Sequence, residues 1–458
     1  MKKLFSMLSM LVLIIGLTGC TADLETSITD LEAKIVTLEQ EKTALETSVT
    51  ALETTVQTKT DSMVALETEI MDLEAQITAL QGQIFDNVLT FTLTDEFGQF
   101  TSKTVGYNDD FEGSAFDLLN ANFTVGFSVS DFGTYIYSLE NLNPTTGNYI
   151  SLAKNGEPSM VGIDGVTYED GDIIEFSILW YDASEKAVFD GVHLFLNNQV
   201  ANYVNATSID YNVLAGLALL GKTTDYITKE EATTYVEGLT LTTVADYYKA
   251  ITILKSVDAD ASALYTDLSE MVTPGAYGQT AYGLLALSNS DLDYTAFLQS
   301  ALTDLSTVSP YDSGLDTGGI SVVALSLHVE ETGVQALVDD YVNWIKMDQL
   351  ETGGIKTRDS VWGDTTYPGT ENAASMSQVI LALLANDIDP TGTDFTKTSG
   401  DLMSRLCEFQ NVDGSFNWLI DAEDADLAFS TPQAFLALAA YYTYSNNGGV
   451  AVNPYYFQ

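Results

Sequence analysis

The sequence predicts a multidomain protein made of an N-terminal coiled-coil stalk, a small α+β domain and a C-terminal all-α domain of the α/α toroid type. Three patterns predict these parts. Apolar residues repeat every 3.5 residues over 24–84, alternate with a period of 2 from about residue 88, and recur in helical blocks from 206 to 445. The predicted domains are a signal peptide at 1–19, the stalk at 20–86, the β domain at 87–203 and the toroid at 204–458.

The chain begins with a secretory signal that ends at a cysteine. Lys2 and Lys3 precede an apolar run over residues 4–17, which is too short to cross a bilayer comfortably. The Leu-Thr-Gly-Cys ending at residues 17–20 resembles the bacterial lipobox, in which the cysteine is lipidated. That resemblance implies a lipid on Cys20 and a protein anchored at the extracellular face of the cell membrane. The alternative is an ordinary cleaved signal with an incidental cysteine.

Composition disfavours several classes of partner and site. Sixty-five acidic residues against 17 basic ones give a net charge of -48, which repels nucleic acid and polyanionic substrates. Cys407 has no intramolecular partner once Cys20 is lipidated, so no disulfide framework is expected. The only histidines, His193 and His328, lie far from any cysteine pair, so the sequence carries no zinc signature.

The predicted stalk carries a heptad repeat over residues 24–84. Leucine fills most d positions and β-branched residues fill most a positions, which is typical of a parallel two-stranded coiled coil. Lys42 and Lys59 interrupt this pattern at one a and one d position. A helix of this length spans roughly 90 Å. We interpret it as a homodimeric spacer that lifts the remaining domains above the membrane; a coil that binds another partner is the alternative.

The second part has the alternation of half-buried strands. Apolar residues and threonines alternate from Leu89 to Thr94, and Ser114 is the expected N-cap of a short helix that ends at Asn122. Further strands are predicted around Thr124–Val129, Tyr135–Leu139 and Ile173–Trp180. Because its carboxylates fall in turns, where they act as caps, we predict no catalytic triad, metal cluster or phosphate loop in this domain.

The third part repeats a pair of helices. An Ala-Leu-like step recurs in apolar helices at Ala218, Ile253, Ala286, Ala324, Ala382 and Ala437. More amphipathic helices are predicted between them, at Thr228–Leu239, Asp260–Val272, Tyr294–Leu305, Gly333–Met347 and Asp394–Gln410. Such repeats imply stacked helical hairpins that close into an α/α toroid with the apolar helices inside. The turns at 349–353 and 410–416 resemble those of terpene-cyclase-like toroids.

Candidate ligand contacts lie where the inner helices begin. All inner helices of a toroid start at the same mouth, so their first turns converge there with free backbone N–H groups. Neutral amides and hydroxyls dominate these positions, which include Tyr277, Gln279, Tyr311, Asp316, Thr317, Asn372, Ser375, Asp426, Ser430 and Thr431, with Gln378 and Gln433 one turn deeper. For Ser375, Ser430 and Thr317, capping alone and a ligand contact are equally open interpretations. Glutamine is a poor cap, so Gln279, Gln378 and Gln433 are either ligand contacts or members of a buried network.

No metal site or catalytic site is expected at this mouth. The acidic run over 421–426 lacks the glycine and the bidentate glutamate of an EF-hand loop, so a solvated loop and helix cap is the better interpretation. No histidine falls among the candidate contacts. We therefore expect a protein that is not an enzyme.

Together these residues resemble the cobalamin carriers intrinsic factor, transcobalamin and haptocorrin over about residues 88–445. The matching motifs occur in family order at Tyr277–Leu287, Leu315–Leu325, Asn372–Leu383 and Ser430–Gln433 in the toroid, and at Gly113–Leu119, Asp131–Leu139 and Gly162–Phe176 in the β domain. This chain departs from the family in placing the β domain first, in lacking disulfides and in having Phe132-Gly133 where the family has Trp-Gly.

The resemblance implies a corrinoid clamped between the toroid and a small β-grasp-type (ubiquitin-like) domain. By it, the corrin's peripheral amides would be held by Gln279, Asp316, Asn372 and Gln433, with Gln378, Tyr311, Phe132 and Tyr135 as further contacts. The link at 200–209 would be the hinge, and no cofactor would be required beyond cobalamin as the ligand. A corrinoid is large and nearly neutral, and its amide arms suit neutral amides and tyrosines.

Three functions stay open from the sequence. The first is a lipid-anchored binding protein that captures a corrinoid or a similarly bulky ligand at the cell surface. The second is an adhesion or scaffolding lipoprotein without a small-molecule ligand. The third is a toroid enzyme, such as a cyclase, a prenyltransferase or a glycan lyase, which the scarcity of arginine and the lack of zinc ligands and of an acid–base pair disfavour.

Overall fold

The computed structural model describes residues 85–130, 133–145, 147–273, 279–362 and 365–457, together with seven single positions nearer the start: Lys34, Lys42, Val56, Lys59, Met63, Ile70 and Gln76. These seven residues are all helical and exposed. The signal peptide, Cys20 and the rest of the predicted stalk lie outside the described residues, so the coiled coil stays a prediction.

The chain divides into two compact units. One combines the residues up to Thr92 with 102–118 and 167–174, and the other combines 93–101, 119–166 and 175–458. These boundaries cut through three strands, so they do not test the predicted domain boundary after residue 203.

The β region contains seven strands and one helix among its described residues. The strands are β1 (Asn87–Thr94), β2 (Phe100–Tyr107), β3 (Val125–Ser130), β4 (Gly133–Leu139), β5 (Asn148–Lys154), β6 (Glu157–Pro158) and β7 (Ile173–Trp180), and helix α1 (Ala115–Asn122) follows β2. Five strands form one sheet in the order β2-β1-β7-β5-β6, while β3 and β4 form a separate antiparallel ribbon. A mixed α/β region with a small sheet is therefore confirmed.

Local sequence explains these elements. Leu89, Phe91 and Leu93 of β1 are buried, as the alternation predicts. The Asp117 backbone N–H donates to Ser114 Oγ at 3.2 Å, and the Ser114 N–H donates to the Asp117 carboxylate at 2.7 Å. This reciprocal pair starts the short predicted helix at the expected residue.

The rest of the described chain is mainly helical. Its helices are α2 (Ala183–Asn198), α3 (Val200–Tyr203), α4 (Tyr211–Leu219), α5 (Lys229–Glu237), α6 (Val244–Ser256), α7 (Ser262–Met271), α8 (Gln279–Leu287), α9 (Thr295–Thr307), α10 (Gly314–Leu325), α11 (Val334–Asp348), α12 (Ala373–Ala385), α13 (Leu402–Cys407) and α14 (Ser430–Asn446). Two short ribbons interrupt them: β8 (Val204–Asn205) with β9 (Ser208–Ile209), and β10 (Ser360–Trp362) with β11 (Thr365–Tyr367).

Six of the described helices contact one another in a closed cycle, here called the ring. Each packs against the next in the order α4, α6, α8, α10, α12 and α14, and α14 packs against α4. These are the helices with the Ala-Leu-like step; in α12, for example, every residue except Ala374 is buried. The more amphipathic helices α5, α7, α9, α11 and α13, together with α2, pack against ring helices. A helix needs one apolar stripe to pack in this way, whereas the ring helices are buried on most sides.

One local expectation needs correction. The helix predicted over Asp394–Gln410 is wrong in its first half, because Asp401 accepts the N–H groups of Met403 and Ser404 and starts α13 only at Leu402. The link at 200–209 consists of helix α3 and the β8–β9 ribbon, with Val200, Tyr203, Val204 and Ile209 buried, and its action as a hinge stays a prediction.

Within the described residues, no helix is both long enough and apolar enough to span a membrane.

Candidate ligand cavity

A cavity of about 570 Å³ lies where the ring helices begin. Its wall includes residues from the first two turns of five ring helices: Tyr211 of α4, Tyr282 of α8, Asp316, Thr317 and Ile320 of α10, Ala374, Ser375 and Gln378 of α12, and Gln433 of α14. Asn372, just before α12, and Asp426, four residues before α14 begins, are further polar residues of the wall. The first N–H groups of a helix lack intrahelical partners, so this end of the ring suits polar ligand groups.

Four of the eight contacts implied by the resemblance line this one cavity. They are Asp316, Asn372, Gln378 and Gln433, which come from three different ring helices and the residue before one of them. The structure therefore brings together residues that lie far apart in sequence. That they bind a ligand stays a prediction.

The other contacts implied by the resemblance are not part of this wall where the structure describes them. Gln279 is the first residue of α8 but is not part of the cavity wall, although Tyr282 of the same helix is. Tyr135 lies on β4 with half of its surface exposed. It is not among the residues that line the cavity. Phe132, like Tyr277, lies outside the described residues.

Tyr311 is not part of this cavity wall, so its predicted contact with a ligand stays a prediction. It lines a second cavity of about 350 Å³ beside α11. The guanidinium carbon of Arg358 lies 4.1 Å from the centre of the Tyr311 ring and 4.1 Å from that of Trp344. Tyr311 thus helps to hold Arg358 through cation–π contacts, which a guanidinium makes well because it is planar and weakly hydrated.

The segment that carries Arg358 also contributes to the main cavity. Thr357 and Thr370 form the base of the β10–β11 hairpin, and both line the cavity. The Thr357 N–H donates to the Thr370 carbonyl at 2.9 Å, and the Thr370 N–H donates to Thr357 Oγ1 at 2.9 Å. Arg358 therefore fixes a hairpin whose base forms one edge of the cavity.

The two glutamines form a pair on the cavity wall. Gln378 Nε2 donates to Gln433 Oε1 at 3.3 Å. This bond uses one polar group of each amide, so the Gln378 oxygen and the Gln433 nitrogen retain hydrogen-bonding capacity. A pair in which each amide has one polar group bonded and one available is compatible with both predicted interpretations, a buried network and a ligand site.

Asn372 is first of all a cap. Its Oδ1 accepts the Ser375 N–H at 2.9 Å, so it satisfies one free donor at the start of α12. Its Nδ2 donates to Thr370 Oγ1 at 3.4 Å. Asn372 therefore ties α12 to the hairpin base while it lines the cavity.

The two carboxylates of the cavity differ in their hydrogen bonds. Asp426 accepts from the N–H of Ser430 at 3.0 Å, from the Ser430 hydroxyl at 2.8 Å and from two further N–H groups that precede α14. Asp316 has one side-chain donor, the hydroxyl of Ser375, and its own backbone N–H. Asp316 therefore has the greater capacity left for a ligand.

Surrounding protein atoms raise the pKa of Asp316, although the side chain remains accessible from the cavity. The dominant cause is desolvation of the carboxylate, and the hydrogen bond from Ser375 partly offsets it. No lysine, arginine or histidine belongs to the described cavity wall. A carboxyl group in this setting serves as an acceptor when ionised, and as both donor and acceptor when protonated, which matches the two functions of a carboxamide.

Aromatic side chains supply the apolar part of the wall, and sequence reasoning missed them. They are Tyr211, Tyr282, Trp418, Phe429 and Tyr455. Tyr211 and Tyr282 occupy first or second turns of ring helices, a signal that was available in the sequence. Trp418, Phe429 and Tyr455 lie outside the repeat, where helical periodicity gives no information.

Neither histidine belongs to the cavity. His328 Nε2 lies 3.1 Å from Ser288 Oγ, and the His193 ring packs 4.2 Å from that of Phe189. Among the described residues, no group of three or more histidine, cysteine, aspartate or glutamate side chains is arranged to hold a metal ion.

Parts of the chain are similar to one protein family and to a solved structure. Residues 113–179 match the family described as "Domain of unknown function (DUF4430)". No curated protein matches the chain. Among solved structures, a protein from Ruminococcus gnavus ATCC 29149, provisionally described as metal binding, is 15% identical; the match covers 21% of this chain and 99% of that chain, with a TM-score of 0.19. A TM-score this low carries no argument about function.

Proposed function

We propose that this protein is a lipid-anchored extracellular binding protein that captures a bulky, nearly neutral ligand, with a corrinoid as the first candidate. In this proposal the ring is the inner layer of an α/α toroid, and the β region is a transcobalamin-like small domain. One observation carries it: Asp316, Asn372, Gln378 and Gln433 meet at one cavity.

The chemistry of the wall suits amide-rich ligands. Each carboxamide arm of a corrinoid has both a donor and an acceptor, and leaving either unpaired on binding costs free energy. The Gln378–Gln433 pair retains one donor group and one acceptor. The aromatic residues offer apolar area for the macrocycle, with Trp418 and Phe429 largely exposed. A cavity of about 570 Å³ is typical of small-molecule sites, and it would hold part of a corrinoid while the remainder projects from the mouth.

The proposal rests on the helical cavity rather than on the predicted clamp. The Trp180 ring at the end of β7 lies 5.0 Å from Phe189, which lies 6.1 Å from Tyr442 near the end of α14. Gln433, which lines the cavity, lies nine residues before Tyr442 in the same helix, or roughly 13 Å away along its axis. The contacts of Phe189 with Trp180 and Tyr442 therefore lie toward the other end of α14 from the cavity. A contribution of Tyr135 to binding therefore stays a separate prediction.

Binding rather than catalysis is proposed because of the groups around Asp316. Acid–base catalysis needs a second group within hydrogen-bond reach that exchanges a proton with the substrate. The described wall around Asp316 contains amides, hydroxyls, aromatic rings and a second carboxylate, Asp426, whose oxygens already accept hydrogen bonds at the start of α14. These groups hold and orient a ligand.

The anchoring part of the proposal depends on the sequence of the first 86 residues. The lipobox resemblance supports a lipid on Cys20, and the heptad repeat supports a homodimeric stalk. Val56, Met63 and Ile70, all at a positions, are helical and exposed in the single chain. Apolar a positions of this kind become buried when a second helix packs against them.

The test is a titration of the purified protein with cyanocobalamin, followed by calorimetry and by the visible absorbance of the corrinoid. We expect stoichiometric binding, and the Gln378→Ala/Gln433→Ala double variant to weaken it at least about tenfold, which corresponds to about 1.4 kcal/mol. Gln299→Ala is the matched control, because Gln299 is an exposed glutamine of α9 that bonds to Glu331. Absence of binding at micromolar ligand contradicts the corrinoid proposal.

An adhesion or scaffolding function is the second candidate, and the β3–β4 ribbon favours it. Phe127, Val129, Tyr135 and Tyr137 of this ribbon are all exposed. Exposed apolar and aromatic residues that cluster on one element are typical of protein-binding surfaces. If cyanocobalamin does not bind, capture of a surface protein that is lost in a Tyr135→Ser/Tyr137→Ser variant supports this function instead.

A further inference from the structure

A segment beyond α14 crosses the opposite end of the ring. This closing segment, residues 450–457, contacts the ends of three ring helices in turn. The Val452 N–H donates to the Leu384 carbonyl at 3.0 Å, and Asn453 Nδ2 donates to the Val323 carbonyl at 2.9 Å. Asn289, just after α8, then donates from Nδ2 to the Tyr455 carbonyl at 2.7 Å.

These bonds have a clear physical basis. The last carbonyl groups of an α-helix have no intrahelical partner, so a helix end that is covered by protein needs donors from elsewhere. The closing segment supplies such donors to α12 and α10. Asn289 also accepts the Phe457 N–H at 2.7 Å, so this amide uses both of its polar groups on the closing segment.

Tyr455 connects this closed end with the cavity at the open end. Its carbonyl accepts a hydrogen bond from Asn289, just after the end of α8. Its hydroxyl donates to Asn212 Oδ1, in the first turn of α4, at 2.9 Å. The side chain is 2% exposed and also forms part of the cavity wall. It therefore passes inside the ring from one end toward the other.

The Tyr455 ring is held by aromatic neighbours on two other ring helices. It packs edge-on against Tyr248 of α6, with ring centroids 5.4 Å apart, and lies 6.4 Å from Tyr211 of α4. Tyr248 in turn stacks on Tyr282, which lines the cavity. The two ring contacts, together with the bond to Asn212, fix the position of this ring.

We infer that Tyr455 forms the floor of the cavity and sets how far a ligand can enter the ring, an inference that rests on the proposed binding function. A group that projects from a ligand along the ring axis meets the Tyr455 ring. A smaller residue at this position deepens the cavity toward the ends of α8 and α10. Tyr455 is thus a specificity-determining residue that is supplied by the closing segment and not by the helical repeat.

Labelling of an introduced thiol tests whether position 455 faces the cavity. The Tyr455→Cys variant of the full protein is treated with a small methanethiosulfonate reagent under native conditions. Tyr441→Cys is the matched control, because Tyr441 is a buried tyrosine of α14 that bonds to Thr391 and lies outside the cavity wall. We expect labelling at 455 to be at least about tenfold faster than at 441, since thiol reactivity follows access. Equal rates overturn the inference.

Repeating the labelling with cyanocobalamin distinguishes the inference about Tyr455 from the proposed corrinoid-binding function. If it binds and slows labelling at 455, the inference is supported. If it binds without slowing labelling, Tyr455 is not the floor of the ligand site and the inference is overturned. If labelling is fast but cyanocobalamin does not bind, the floor is supported and the proposed corrinoid function fails.

A near-isosteric probe covers the case in which the cysteine variant does not fold. In the full protein, 4-fluorophenylalanine at position 455 replaces only the hydroxyl by fluorine, and its ¹⁹F resonance reports the surroundings of the ring. We expect bound cyanocobalamin to shift this resonance and to leave the same label at position 441 unchanged. A resonance at 455 that does not move while cyanocobalamin binds overturns the inference.

Discussion

The two ends of the ring are built from the same six helices but differ in how their polar groups are used. At the end where the helices begin, Gln378 and Gln433 spend one polar group each on the other and keep the second. At the opposite end, Asn289 and Asn453 are fully engaged with main-chain and side-chain partners of the helix ends and the closing segment. Amides of the same chemistry therefore serve structure at one end and remain available to a ligand at the other.

The presence of the closing segment at one end of the ring, and its absence at the other, accounts for this difference among the described residues. The closing segment covers the helix ends that expose carbonyl groups, and its donors satisfy them. The beginnings of α12 and α14 are capped locally, because Asn372 accepts the Ser375 N–H and Asp426 accepts the Ser430 N–H. Local caps leave the mouth open, whereas a crossing segment closes the other end.

The largest expected effect concerns the support of the open end. Arg405 Nε and Nη2 each donate to the Glu371 carboxylate at 2.8 Å, and both side chains are largely buried. Arg405→Ala leaves a buried charge without its partner next to Asn372, so we expect a loss of about 3 kcal/mol in the free energy of unfolding. Urea denaturation measures it. Lys346→Ala, which breaks the exposed pair with Asp394, is the control and should cost less than about 1 kcal/mol.

The second prediction contrasts the closed end with the open end. Asn453→Ala removes two hydrogen bonds, one to the Val323 carbonyl, which keeps the Ser326 hydroxyl as a donor, and one to Ser326 Oγ. We expect it to cost about 1–3 kcal/mol of stability and to leave cyanocobalamin affinity within about twofold, since Asn453 does not line the cavity. The double glutamine variant should show the reverse pattern. Similar effects of both variants on stability and on affinity would remove the distinction between the two ends.

A smaller effect is expected at the edge of the mouth. Arg358→Ala removes the cation–π contacts with Tyr311 and Trp344 that hold the base of the β10–β11 hairpin. Contacts of this kind at an exposed site contribute about 0.5–1 kcal/mol. We therefore expect a slight fall in stability and a faster dissociation of bound cyanocobalamin, measured by stopped-flow absorbance. Dissociation that is unchanged would show that the hairpin base does not contact the ligand.

The smallest prediction concerns pH. Because burial raises the pKa of Asp316 in the folded protein, its contribution to stability is complete below the unfolded pKa and is lost as pH rises through the folded value. Asp316→Asn cannot lose a proton. Thermal unfolding between about pH 3 and pH 7 should therefore show the variant gaining stability relative to the natural protein as pH rises. A constant difference across this range contradicts the assignment.

The sequence predicted the cavity only where residues follow the helical repeat. The repeat places the starts of the apolar helices at one end, so Asp316, Asn372, Gln378 and Gln433 were expected to converge, and they line one cavity. Gln279 follows the same rule but is absent from the wall. Membership of a first turn predicts the end of the ring at which a residue lies, and it does not predict which side of the helix carries the side chain.

The remaining features depend on contacts that no local pattern encodes. Tyr455 reaches the cavity because the closing segment runs back across three helix ends, a path fixed by single hydrogen bonds. Tyr311 was expected at the mouth because it precedes α10, but the Arg358 guanidinium covers it. The segment 394–401 was expected to be helical, but the helix begins only after Asp401, which caps it. In each case one polar contact determined the local structure.

Hydrogen exchange of the full protein with and without saturating cyanocobalamin tests the central claim most directly. The claim is that the ligand occupies the open end of the ring. The account predicts slower exchange of amides at the starts of α10, α12 and α14, around Asp316, Ser375 and Gln433, with no change in α9, which contributes no residue to the described cavity wall. Protection confined to the β3–β4 ribbon, or no protection at all, would contradict it.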